Sequence, residues 1–125
     1  MNATATGVQE LTCQLRAAAG ITADTAAAEL IISHGHFLHR GAFRSVITAG
    51  TSISTGQPLA TIDWDAALHA LDTGLLPCSS SEQAILRIAA SLGDPVIPVR
   101  LRTVLGSLDT RNITLVTTAI TAADG

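Results

Sequence analysis

The chain has no lysine and no tyrosine, and only two phenylalanines, one tryptophan and two cysteines among its 125 residues. Each scarcity removes a class of function. Seven arginines stand against ten acidic residues, a net charge of −3. A nonspecific nucleic-acid coat draws its affinity from a cationic surplus, so that class is excluded. Cys13 and Cys78 fit no metal or redox spacing and read as reduced thiols in or near the core. No P-loop, paired CxxC, G-x-S-x-G elbow or dinucleotide fingerprint occurs. The longest uncharged run, Ser45 to Ile62, holds Gly50, Gly56, Pro58 and seven Ser or Thr, a mixture that a membrane span rarely tolerates. Residues 1–20 lack the basic head and continuous apolar stretch of a signal peptide. The expectation is a soluble cytoplasmic protein that meets no membrane.

What remains is 47% apolar, 14% charged and has a mean hydropathy of +0.42. Such a chain folds, and its length suits one domain over residues 1–125. Its punctuation is that of helices. Thr6 and Gln9 fit a capping box, with Val8, Leu11, Leu15 and Ala18 at helical spacing up to Gly20. An alanine-rich segment from about Thr22 to Ser33 ends near Gly35, and a third helix is predicted from about His36 to Ala49, stopped by Gly50. Residues 50–61 read as one long loop that divides the chain into subdomains 1–49 and 62–125 or moves on its own.

Beyond that loop Asp63 is placed to cap a helix bearing Trp64, Ala67, Leu68 and Leu71, ended by Gly74. Ser79 and Glu82 form a second capping box before Ile85, Ile88, Ala89 and Leu92, with Gly93 and Pro95 at the close. Pro98 suits the first turn of a short helix carrying Leu101, Val104 and Leu105, and Asp109 caps the last helix. Six or seven short helices result. The β-branched stretches Val46 to Thr48 and Ile113 to Thr118 are equally compatible with short strands. The predicted core comprises Leu11, Leu15, Leu30, Ile31, Phe43, Trp64, Leu68, Leu71, Ile85, Ile88, Leu92, Leu101, Leu105, Ile113, Val116 and Ile120.

Chemistry-bearing side chains are few. His34, His36 and His39 fall within six residues, and on a helix His36 and His39 would share a face and reach one metal ion. Arg40 beside them opposes a cation. His69 lies at helical spacing between Asp65 and Asp72, the arrangement of an acid-flanked general base or of an exposed charge cluster. Asp63-Trp64-Asp65 has a D-x-D form, but capping alone explains Asp63. Ser79-Ser80-Ser81 offers a phosphate cradle or a redundant cap.

Three predicted helices agree with one another in the C-terminal part: Ser80 to Leu92, Pro98 to Leu105 and Asp109 to Ala123. The four-residue turn from Gly106 to Asp109 has the length and glycine of a helix-turn-helix. The segments Ser-Glu-Gln-Ala-Ile-Leu-Arg-Ile-Ala-Ala-Ser-Leu, Val-Arg-Leu-Arg-Thr-Val-Leu and Leu-Asp-Thr-Arg-Asn-Ile together resemble the three-helix core of helix-turn-helix regulators. That resemblance implies that the last helix enters the major groove, with Arg111 and Asn112 near base edges and Arg100 and Arg102 on phosphates. The stretch from Ile62-Asp63-Trp64 to Ile88-Ala89-Ala90-Ser91-Leu92 is also similar to small uncharacterised helical proteins of GC-rich bacterial genomes. The absence of lysine and tyrosine beside 21 alanines suits that source. It implies an origin and no mechanism.

The sequence therefore points first to a non-enzymatic, cofactor-free, all-α module acting through a protein partner or its own copy. A helix-turn-helix DNA regulator is the alternative, and a histidine-metal enzyme the third reading.

Overall fold

Three consecutive alanines, Ala26 to Ala28, are all buried in the middle of one helix, and the rest of the chain is arranged around them. The computed structural model describes residues 7–18 and 22–124. Its elements in chain order are α1 (Val8–Ala18), α2 (Thr22–His34), a single 3-10 turn (Phe37–His39), α3 (Gly41–Arg44), β1 (Ile47–Thr51), β2 (Pro58–Ile62), α4 (Trp64–Asp72), α5 (Ser80–Gly93), α6 (Leu101–Leu105) and α7 (Thr110–Ala123). The fold is mostly helical, with one two-stranded antiparallel sheet.

Helix α2 is central. It packs against α5 and α7 most extensively and also touches α1 and the 3-10 turn. Alanines let helix axes approach closely, since packing distance follows the bulk of the contact side chains. Small residues answer on the neighbours: Ala84, Ala89 and Ala90 of α5 and Ala119 of α7 are buried too. Leu30, Ile31, Ile85, Leu86, Phe37 and Phe43 fill the space between, and the two phenylalanine rings meet at 5.1 Å. One continuous apolar cluster runs from Leu11 to Ala119, uniting residues on both sides of positions 50–61.

The caps form largely as expected. Asp63 accepts from the Ala66 amide at 3.0 Å, and Ser79 and Glu82 close a reciprocal capping box. Asp109 accepts from the Asn112 amide at 2.8 Å. Gly35 and Gly74 follow α2 and α4 with φ of +80° and +83°, the left-handed geometry of a helix stop. Helix α6 starts later than Pro98 suggests, at Leu101. The Thr6 part of the first capping box and Gly20 lie outside the described residues.

Two departures are larger. The helix expected over His36 to Ala49 is a 3-10 turn, one short helical turn and a strand. The expected loop 50–61 is mostly sheet: β1 pairs with β2 in the register Ile47↔Ile62, Ala49↔Ala60 and Thr51↔Pro58, leaving only Ser52 to Gln57 as the connection. Ile47 and Ala60 face inward, and α1 lies across β2. The β-branched run at Val46 to Thr48 was the available signal, and its partner carries Ile62 and Thr61. The other ambiguous run, Ile113 to Thr118, is helical.

The half-buried Trp64 indole lies against Gly93. A Cβ at Gly93 would fall 2.1 Å from Trp64 Nε1 and 2.5 Å from Cε2. Gly93→Ala must therefore displace the indole, at a cost of about 1–3 kcal/mol typical of overpacking. Because Trp64 is the sole tryptophan, its emission should shift to the red as urea stability falls. An unchanged spectrum and midpoint would contradict the contact.

Candidate functional site

The structure splits the candidate residues between a half-exposed polar joint and an apolar helix surface. The joint lies where α2, the 3-10 turn and the start of α5 meet. Gly35 breaks α2, so the three histidines do not share a helix face. His34 ends α2, His36 caps the 3-10 turn and His39 ends that turn, exposed. No group of three or more His, Cys, Asp or Glu side chains converges on a metal-sized space among the described residues. The helix expected from His36 forms only as a single 3-10 turn, with His36 half-buried against Arg40 and Glu82 and His39 exposed.

Of the three, His36 joins a hydrogen-bond chain, while the buried Nδ1 of His34 has no partner among the described residues. His36 Nε2 lies 3.1 Å from Arg40 Nη1 and 3.4 Å from Glu82 Oε2. Arg40 also donates to the Pro77 carbonyl at 2.8 Å. Glu82 Oε1 accepts the Ser79 amide at 2.8 Å, and the Glu82 amide donates to Ser79 Oγ at 3.3 Å. The Ser79 amide, with His36 as a lesser contributor, holds the Glu82 carboxyl below the usual carboxylate range. The chain's own carboxylate thus occupies the position in which the serine run would have cradled a phosphate. Burial pushes the Cys78 thiol up, with Arg40 opposing. A thiol raised in this way is a poor nucleophile. The chemistry of this joint is that of a clamp, which ties residues 77–79 to α5 and to the 3-10 turn.

Asn112 is buried, and the exposed Arg111 reaches back to the end of α2. Arg111 Nη2 donates to the Ser33 and His34 carbonyls at 3.4 and 3.3 Å, and so covers carbonyls at the end of α2. Asn112 is 5% exposed, and its Oδ1 has no partner among the described residues. Arg100 and Arg102 are exposed, and their guanidinium groups make no hydrogen bond or ion pair among the described residues. Of the four residues expected to meet DNA, Arg100, Arg102 and Arg111 are exposed and Asn112 is buried. His69 is exposed, and Asp72 pairs with Arg87 at 2.7 Å. A cavity of about 190 Å³ beside Trp64 has mainly apolar walls, with Asp24 and Thr61 as its polar members.

The outward surface belongs to α6 and α7. Leu101, Leu105, Ile113 and Ile120, expected in the core, are 51%, 39%, 38% and 50% exposed. Helix α7 buries Asn112, Val116 and Ala119 instead. The physical reason is the close contact with α2, which admits Ala119 more readily than an isoleucine. From Asn112 to Ala123 the helix carries no charge. The hydroxyls of Thr114, Thr117, Thr118 and Thr121 each donate to the carbonyl four residues back, at 2.8–3.0 Å. This surface eluded sequence reasoning because Ile113, Val116 and Ile120 fit one helical face almost as well as Asn112, Val116 and Ala119. No described helix is long and apolar enough to cross a membrane.

His34 supplies a pH test. Burial first, then Arg111 and His36, hold its imidazole below the ordinary value, against weaker pulls from Glu82 and Asp109. The folded chain thus favours neutral His34, and the unfolded chain takes up the proton first. The resulting stability is complete above about pH 6.5 and is lost as pH falls toward the lower folded value. Urea midpoints measured at about pH 7.5 and about pH 5.5 should fall on acidification in the parent and less in His34→Gln. Equal losses in the two proteins would remove His34 as the source. No protein-family model, curated protein or solved structure matches the chain, so the functional reading rests on its own chemistry.

Proposed function

We propose that the protein is a small non-enzymatic helical module that acts by binding another polypeptide through the outer surface of α7, with α6 adjoining it in sequence. The observation that carries this reading is the uncharged outer face of α7, with Ile113 and Ile120 38% and 50% exposed. A helix that only ever faces water ordinarily carries charges there. Exposed apolar groups gathered on one element mark an interaction surface more often than scattered ones do. The threonine hydroxyls are already bonded to their own helix, so a partner covering them strands no polar group. The polar joint supports the same reading from the other side, since its ionisable groups hold the fold and leave no activated nucleophile. Two free thiols, one of them exposed, suit a reducing compartment and support a cytoplasmic place of action.

Photo-crosslinking in cells tests this reading. A benzophenone side chain at Ile113 or Ile120 should give adducts that the same group at exposed Glu10 does not. Equal labelling from all three positions, or none from α7, would remove the proposal.

One observation favours a second reading. Arg100 and Arg102 are exposed and unpaired among the described residues, as phosphate contacts of a helix-turn-helix regulator would be. On that reading duplex DNA binds at low salt, and Arg100→Ala/Arg102→Ala lowers the slope of log affinity against log salt by about 2, near one per lost phosphate contact. Salt-insensitive binding, or none, eliminates it.

A further inference from the structure

We infer that the cavity beside Trp64 is a binding site for a small organic cation, an amine carrying a compact apolar body. Helices α1, α2, α4 and α5 and strand β2 converge on this space of about 190 Å³. Leu15, Ala28 and Ala60, all buried, and the half-buried Ile62 supply apolar walls, and Trp64 supplies an aromatic one. The missing Cβ of Gly93 is what leaves room for the indole there. A void of about 150 Å³ lined by apolar side chains admits benzene, so this cavity suits a guest of benzene to indole size. Asp24 brings the single charge of the lining. It is half-buried in the first turn of α2, and its carboxylate makes no hydrogen bond or ion pair among the described residues. Arg16, the cation of adjoining α1, is already bound to Glu29. An unpaired carboxylate beside apolar walls favours a cation over a neutral molecule of the same shape and repels an anion. Further polar groups on the ligand would meet walls with little to bond them. The aromatic wall adds to the preference, since indole is the side chain that cations favour most. This site shares no residue with the outer face of α7 and stands independently of that reading.

The sole tryptophan reports occupancy directly. The full chain, at neutral pH, is titrated with phenethylamine and in parallel with phenethyl alcohol and hydrocinnamate. The last two keep the apolar body and replace the ammonium with a hydroxyl or a carboxylate. Phenethylamine should change Trp64 emission with a Kd of about 0.1–1 mM, the range open to so small a ligand with one ionic contact. The alcohol should bind about tenfold more weakly, and hydrocinnamate weaker still. Amide NMR shifts should centre on Leu15, Ala28, Ala60 and Gly93. Asp24→Asn should leave circular dichroism unchanged and reduce the amine to the level of the alcohol. Equal binding of the three probes, or no change in emission up to about 10 mM, overturns the proposal. So does an amine preference that survives Asp24→Asn, or a set of shifts centred elsewhere in the fold.

Discussion

The close packing of α2 is the constraint on which the remaining structure depends. With Ala26, Ala27 and Ala28 all buried, this helix is enclosed by α5, by α7 and in part by α1. An alanine contributes little apolar area by itself, and its value lies in letting axes approach until the backbones nearly touch. That approach dictates what each neighbour turns inward. Helix α5 answers with Ala84, Ala89 and Ala90, and α7 with Ala119 and Val116. Bulk is supplied at the margins by Phe37, Phe43, Leu30 and Leu86.

This choice leaves the isoleucines of α7 without a place inside. Rotating α7 to bury Ile113 and Ile120 would force branched side chains into a space sized for alanine, at the overpacking cost of about 1–3 kcal/mol per site. It would also withdraw Arg111 from the carbonyls at the end of α2, which then lose their partner. The observed rotation instead buries Asn112 with an unpartnered Oδ1. Two apolar side chains in water and one polar atom out of it are what the alanine contact imposes. The face that results is apolar, internally satisfied and open.

Whatever depended on local chemistry could be read from the sequence. Asp63, Ser79 with Glu82, and Asp109 cap the helices they were expected to cap, because a side-chain oxygen three residues before a free amide needs no tertiary context. The glycine stops at Gly35 and Gly74 follow for the same reason. The hairpin was not legible, because its six-residue connection lacks the Asn-Gly or Asp-Gly signature of a tight turn and β1 ends in Gly50 and Thr51. Neither was the outer face of α7. Its two candidate faces differ by a rotation that only the partner helix decides, and that partner lies some eighty residues earlier in the chain. The histidines were misjudged because the helix expected from His36 forms only as a single 3-10 turn, with His36 against Glu82 and His39 exposed.

The distribution of charge argues where function resides. Arg40, His36 and Glu82 bond to one another or to backbone around the start of α5, and Arg111 bonds to the end of α2. An active site needs ionisable groups aimed at a space where a substrate can sit, and these are aimed at the fold itself. The cavity beside Trp64 has space but a single charged group, enough to anchor a ligand and too little to transform it. Removing Arg40 or Arg111 would therefore be felt first as lost stability, through carbonyls left uncovered. The outer face of α7 is the converse case. Ile113 and Ile120 are 38% and 50% exposed, so replacing either with a polar residue should cost the monomer less than a core substitution.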